Sequence, residues 1–369
     1  MRNFSFSSTN ELSIFLKDNS FQKVFVICGD KSYKLSGAEK ILSNLLIEKK
    51  TKYFFKKFAY TDLVELQKII VELKNFSPDL IIGIGGGSVI DYAKIANVLT
   101  NSVNLRKEIS NSTYRIDKKF TKLIVIPTTA GSGAEVTANS VVYIDKIKHS
   151  VEGEELKPDL FFLLPELVIS ASKKIKSSAG FDAIAQAIES LISKKSNEKS
   201  VAFAKKSLDI SLKYFLDYLN KPNNENTSAM CLAANLSGEA ISISKTTAPH
   251  AVSYPFTSIY NISHGHAVSL TLNKFLKFNY ENLEKSNSIF NLKDRYQIIF
   301  DCSKTKTIES FDAYLENLKK NANLENNFSK LGVNIIEDYT KIISGVNVSR
   351  LSNNPVELKT EDIKKIIQS

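Results

Sequence analysis

The 369-residue sequence predicts an α/β nucleotide-binding domain with a parallel sheet over residues 1–169, followed by an all-α domain over 170–369. Three observations carry that expectation. Short apolar runs alternate with helical patterns through the first half, as in strands joined by crossover helices. A glycine cluster follows one of those strands and opens a helix. From about Ser170 onward, apolar residues recur at three- and four-residue spacing nearly throughout.

In chain order, residues 24–28 read as the first strand and 37–49 as an amphipathic helix. Residues 53–58 form a second strand and 62–76 a second helix; 80–84 and 123–127 are further strands. The character changes near Pro165. Residues 183–191, 202–219 and 228–242 then follow the helical period, and 220–227 reads as an exposed loop.

Composition narrows the function classes. The net charge is +10, yet only five of the 49 basic residues are arginine, the side chain favoured for bidentate contacts to phosphates and bases. The lysines are spread along the chain among acidic residues, so a solvated surface is expected rather than a nucleic-acid partner; a mild attraction for anionic substrates is compatible with it. The longest apolar stretch, 160–169, is broken by Pro165 and Glu166 and is too short to span a bilayer. The polar opening MRNFSFSS lacks the charged and apolar segments of a leader. Cys28, Cys231 and Cys302 are widely separated and form no CxxC pair, which fits a reducing cytoplasm.

Of the four histidines, three lie at 250, 264 and 266. Neutral imidazole is the commonest protein ligand for a catalytic divalent metal, so the concentration points to a metal-centred enzyme. Upstream, Asp182 and Gln186 are four residues apart and share one helix face. The loop Gly83-Ile-Gly-Gly86-Gly87-Ser88 follows a strand and opens a helix. Adjacent glycines let the backbone approach a pyrophosphate and leave helix N–H groups to meet it, although a glycine cluster alone is also compatible with a tight turn. A second loop rich in small residues, PTTAGSGAE at 127–135, ends the next strand. Two such loops at successive strand ends form the nucleotide crevice of open α/β sheets.

Taken in order, GGGSVIDYAK, PTTAGSGAEVT, GFDAIAQAIE and the His250/His264 pair resemble the iron-containing (group III) alcohol dehydrogenases, within the wider dehydroquinate-synthase-like superfamily. The resemblance covers nearly the whole chain. It implies a nicotinamide dinucleotide in an inter-domain cleft, a divalent metal (Fe2+ or Zn2+) on the helical domain and a small aldehyde or alcohol as substrate; dimers are common among such enzymes. Carried onto this chain, Gly86, Gly87 and Ser88 would hold the pyrophosphate with Asp91 close by. Thr128, Thr129 and Ser132 would line the cofactor path, with Asn139 and Lys148 near the ribose. Asp30 stands where an acid meets the adenosine ribose, which favours NAD over NADP.

The family's metal set is an aspartate and three histidines. Asp182, His250 and His264 match it, but Gln186 occupies the first histidine position. Three outcomes stay open there: the amide ligates, a water replaces it, or the site is empty. Tyr254 replaces another histidine that lies near the nicotinamide in many relatives, so no catalytic proton donor is assigned. The variation around Gln186, Lys245 and His264-Gly-His266 resembles a phosphonoacetaldehyde reductase subgroup. There Lys245 would meet the phosphonate, and His266 would contact substrate. Two rivals remain: a dehydroquinate-synthase-like cyclase, whose HGEAV signature is echoed by His264-Gly-His266-Ala-Val, and a non-catalytic binding protein with a degenerate metal site.

Overall fold

The computed structural model describes residues 8–116, 118–346 and 348–368; the polar stretch at 1–7 lies outside them. The chain divides into two compact units, Met1–Thr129 with Ala134–Ala171, and Ala130–Gly133 with Ser172–Ser369. No helix among the described residues is long and apolar enough to cross a membrane.

Among the described residues, seven strands build the first unit: β1 (Lys23–Gly29), β2 (Lys50–Lys56), β3 (Leu80–Gly85), β4 (Lys122–Pro127), β5 (Asn139–Ile144), β6 (Ile147–Glu152) and β7 (Leu160–Phe161). Five form one sheet in the order β2-β1-β3-β4-β7, every pair parallel. This is the parallel sheet that the sequence predicts. Its strands read as unbroken apolar runs because both faces are covered. Val24, Val26, Cys28, Ile82 and Ile84 enter one core, while Phe25, Ile27, Ile81, Leu123 and Val125 enter the other.

The chain steps from β1 outward to β2 and then returns to β3 on the far side of β1, so the winding reverses between β1 and β3. Open parallel sheets bind ligands beyond the strand carboxyl ends at such a reversal. Register places Cys28 beside Ile84 and Gly85 beside Pro127, bringing the segments after Gly29, Gly85 and Pro127 to that one edge.

Two local features differ from the expectation. The helix expected over 37–49 is preceded by a short helix, Asp30–Leu35. Gly37, at φ 84°, breaks the chain before Ala38–Leu45 begins. The antiparallel hairpin β5–β6 is not foreseen in the sequence at all. Its two-residue turn, Asp145-Lys146, holds both residues at positive φ (52° and 67°), a geometry usually signalled by Asn-Gly or Asp-Gly.

The hairpin is held from the helix Gly87–Val98. Lys94 is fully buried, and its Nζ donates to the carbonyl oxygens of Ala134 (3.0 Å), Thr137 (2.8 Å) and Asn139 (2.7 Å) and to the Thr137 hydroxyl (2.9 Å). One turn earlier, burial pushes the Asp91 carboxyl up to about 6, against the opposing pull of Lys94, Ser140, Lys148 and the Val141 backbone. Asp91 thus faces the hairpin, and Lys148 lies within its field.

The second unit is helical, as the sequence predicts. Its longer members are Lys173–Ile192, Glu198–Asn220, Asn224–Ser244, Ala248–Tyr260, His264–Glu281, Leu292–Ser303 and Ile308–Asn321. Side chains of Ser172, Asn197, Asn223 and Thr307 cap four of these by accepting from a backbone N–H of the first turn. The helix Lys173–Ile192 is buried from Gly180 to its end and packs against its neighbours on all sides.

The raised Asp91 value fixes a sign. The native state binds this proton more tightly than the unfolded chain, so ionisation between pH 3.8 and about 6 removes stability, and the loss persists above that window. Asp91→Asn should therefore be more stable than the parent at pH 7.5 by on the order of 2–3 kcal/mol, with the advantage shrinking towards pH 4.5. Urea melts at the two pH values check this; a difference independent of pH would contradict it.

Candidate functional site

Asp182, Gln186 and Glu189 stand four and three residues apart on the helix Lys173–Ile192, which puts them on one face. The neighbouring helix Ala248–Tyr260 begins at Thr247 without a side-chain cap of its own. Glu189, fully buried, supplies it from across the interface. Its Oε1 accepts from the Thr247 N–H (2.9 Å), the Thr247 hydroxyl (2.9 Å) and the His250 N–H (3.3 Å). A carboxylate at a helix N-terminus is also favoured by the dipole.

The second Glu189 oxygen holds His250 Nδ1 in a short hydrogen bond. That contact keeps a proton on Nδ1 and turns Nε2 towards Asp182 Oδ1, 3.2 Å away. Carboxylate–histidine pairs of this kind orient metal-binding imidazoles. Burial alone would lower the His250 value, but the Glu189 charge and the bonds to Asp182 and Glu189 outweigh it and lift the ring to about 9. The pocket therefore stabilises positive charge at this point.

His264 enters on the helix His264–Glu281, and its Nε2 lies 4.0 Å from the same Asp182 oxygen. Gly265 makes this approach feasible. A Cβ there would sit 1.9 Å from the Ser178 carbonyl oxygen and 2.8 Å from the Asp182 Cβ, so only glycine lets the two helices pack this closely. Tyr254 stacks on the His264 ring at 5.9 Å and 28°, and burial, with the nearby carboxylates, pushes its phenol up to about 12. Asp182, His250 and His264 each offer one ligand atom, all within 4.8 Å of one another. Ligands about 2.1 Å from one ion lie roughly 3–4 Å apart, so the 3.2 and 4.0 Å separations from Asp182 Oδ1 suit a divalent transition metal, and the outer bound of 4.8 Å requires a small closing of the two imidazoles.

Gln186 reaches the cluster with its nitrogen. Nε2 donates to Asp182 Oδ2 (3.2 Å) and to the Ser132 carbonyl (3.4 Å), while Oε1 accepts from the Ser237 hydroxyl (2.9 Å). In this orientation the amide oxygen serves Ser237 rather than the cluster. His266 stands apart from the three ligand residues: its Nε2 donates to the Glu325 carbonyl (2.8 Å), and burial lowers its value. The Nε2–H of this ring is thus spent on the Glu325 backbone. Lys245 ends the helix Asn224–Ser244 at φ 61° and ψ 173°, a region almost confined to glycine. Asn353 Nδ2 holds the carbonyls on either side, those of Ser244 and Thr246, at 2.9 Å each.

On the first unit, the loop after β3 carries the glycines expected to bind a nucleotide. The helix Gly87–Val98 has no side-chain cap at Gly86, and its first N–H groups, including those of Gly87 and Ser88, have no intrahelical acceptor. A Cβ on Gly86 would lie 3.3 Å from the Thr129 hydroxyl, and the Thr128 N–H donates to the Gly85 carbonyl (2.9 Å), so the two loops lie side by side. Asp30, exposed, opens the helix after β1 at the same edge. Asn139 and Lys148 lie on the hairpin, and Ser132 belongs to the second unit. Glu189, Gly265, Lys94 and Ser237 carry no role that the sequence alone assigns. The one available signal was Glu189's seven-residue spacing from Asp182, which returns it to the same helix face.

Comparison with known proteins gives matches along nearly the whole chain. Residues 3–165 match the family model described as iron-containing alcohol dehydrogenase, and 176–369 the one described as Fe-containing alcohol dehydrogenase family, C-terminal. Phosphonoacetaldehyde reductase of Streptomyces viridochromogenes is 29% identical over 221 residues, which span 57% of this chain and 55% of that protein. 4-Hydroxybutyrate dehydrogenase of Clostridium kluyveri is 28% identical over 260 residues, 69% of this chain and 68% of its own length. Among solved structures, sulfoacetaldehyde reductase from Bifidobacterium kashiwanohense in complex with NAD+ superposes with a TM-score of 0.85 at 23% identity, covering 99% of this chain and 95% of that one. An iron-containing alcohol dehydrogenase from Thermotoga maritima gives 0.82 at 24% identity, covering 98% and 96%. At these identities the two structures establish the fold.

The close approach at Gly265 can be tested directly. Gly265→Ala should destabilise the protein by about 1–3 kcal/mol despite alanine's better helix propensity, because the added methyl meets a backbone carbonyl that cannot turn away. Thermal denaturation reads the loss; an unchanged or higher Tm would contradict it.

Proposed function

The chain belongs to the iron-containing alcohol dehydrogenase family, and on that premise we propose that it is a metal-dependent, NAD-linked reductase of a short aldehyde with an acidic head group, phosphonoacetaldehyde foremost. The observation that carries this reading is the Asp182–His250–His264 cluster, buttressed by Glu189. When bound, a divalent metal supplies Lewis acidity towards the carbonyl oxygen, and the reduced nicotinamide supplies the hydride.

The chain's own residues do the rest. Glu189 keeps the proton on His250 Nδ1 and so leaves Nε2 as a donor to the ion. Asp182 contributes the compensating negative charge, and Tyr254 packs against His264 and fixes its ring. On the first unit, the backbone of Gly86, Gly87 and Ser88 receives the pyrophosphate, while Thr128 and Thr129 border it with Asn139. Asp30 accepts from a free ribose 2′-hydroxyl and repels a 2′-phosphate, which favours NAD. Lys148 and Asp91 are spent in part on each other.

Two relatives support the substrate class. The names phosphonoacetaldehyde reductase and 4-hydroxybutyrate dehydrogenase both denote a short carbon chain ending in an anion. Lys245 supplies the matching cation. A residue held in a conformation natural to glycine is maintained at some energetic cost, and such positions concentrate at functional sites.

Oxidation of NADH and of NADPH should be followed with phosphonoacetaldehyde and with propionaldehyde after loading iron or zinc. Turnover is expected with NADH and phosphonoacetaldehyde, at least tenfold above propionaldehyde in kcat/KM. Lys245→Ala should raise KM for the phosphonate by tenfold or more and leave propionaldehyde nearly unchanged. Equal turnover of both aldehydes would reduce the reading to a general aldehyde reductase. No net oxidation with metal bound would favour a cyclase that recycles its cofactor.

A further inference from the structure

Ser237 stands at the back of the metal cluster with a hydrogen-bond surplus. Its Oγ lies 2.9 Å from Gln186 Oε1 and 2.9 Å from the Ala234 carbonyl, both acceptors, yet a hydroxyl has one proton to give. With the amide as it stands, that proton goes to Oε1, because the Ala234 carbonyl already has its partner within the helix Asn224–Ser244. On its other side the same amide presents Nε2 to two oxygens, Asp182 Oδ2 and the Ser132 carbonyl. Gln186 and Ser237 are both buried, so an unmet partner there is costly.

Turning the amide by half a revolution exchanges its two ends, and the Ser237 hydroxyl can serve either one. Nε2 then donates to Ser237 Oγ, which passes its single proton to Ala234, and every group on that side is satisfied. Oε1 then meets Asp182 Oδ2 and the Ser132 carbonyl, a convergence of three oxygens that is repulsive unless a cation lies among them. The two orientations have nearly the same shape and opposite polarity. We propose that Gln186 is a two-position amide: its nitrogen closes on Asp182 when no ion is present, and it turns to give its oxygen to the ion when one binds, with Ser237 accepting the released N–H. Gln186 thereby stands in for an imidazole without adding a titratable group, and Ser237 becomes a positioning residue for the metal. This rests on the reading of Asp182, His250 and His264 as a metal site.

The test uses the full chain labelled with 13C at the glutamine side-chain carbonyl and titrated with zinc, which is diamagnetic. Five glutamines keep the spectrum simple, and Gln186→Met assigns the resonance. Zinc is expected to bind one to one and to shift the Gln186 carbonyl signal. Competition with a chelating dye should show affinity falling tenfold or more in Gln186→Met and three- to tenfold in Ser237→Ala, with the Ser237 effect vanishing in the Gln186→Met background. Zinc bound through Asp182 with the Gln186 signal unmoved, or with affinity within twofold in Ser237→Ala, would overturn the amide turn and leave the metal site standing. Zinc binding that is absent, or that survives Asp182→Ala unchanged, would remove both. The labelled parent protein gives the decisive signal even if one variant folds poorly.

Discussion

The site depends on one buried carboxylate. Glu189 has no exposed surface, and its two oxygens take the Thr247 N–H and hydroxyl, the His250 N–H and the His250 ring proton. A carboxylate brought out of water is costly unless its lone pairs are met, and here they are met by groups from one helix start. The same bonds cap the helix Ala248–Tyr260, set the entry of His250 and choose its tautomer. Removing the charge would therefore loosen the helix start, the ring orientation and the affinity for a cation together.

Around that carboxylate, the packing brings three helices to one point. Lys173–Ile192 brings Asp182, Gln186 and Glu189 on a single face, Ala248–Tyr260 brings His250, and His264–Glu281 brings His264 through the contact at Gly265. Side chains cap several other long helices of this unit, whereas the two that carry the histidines have no side-chain cap of their own. In the first unit the helix at the glycine loop is likewise uncapped, and its free N–H groups stand at the winding reversal of the sheet. Of these three starts, that of Ala248–Tyr260 is capped instead by Glu189 from the neighbouring helix.

Much of this was legible in the sequence, for physical reasons that differ by element. The sheet showed because strands buried on both faces cannot alternate with polar residues, as at 24–28 and 80–84. The candidate metal cluster showed because histidine is rare in this chain and three of its four copies fall together. The hairpin did not, since Asp145-Lys146 adopts positive φ without the glycine that normally marks such a turn. Glu189 was obscured because a glutamate on a helix usually faces water, and only the partner helix shows that it does not. Gln186 was recognised as a departure, but its orientation depends on Ser237, 51 residues away, which no local pattern reveals. His266 drew attention as a neighbour of His264, although its bond runs to the Glu325 backbone.

The central claim is that Asp182, His250 and His264 form one metal site. Anomalous X-ray scattering at the zinc or iron edge, from crystals of metal-loaded protein, tests it most directly. The account expects a single strong peak bound by an Asp182 oxygen and by Nε2 of both histidines, with His250 Nδ1 still on Glu189. A peak elsewhere, ligation through His250 Nδ1, or no peak in metal-loaded crystals would contradict it.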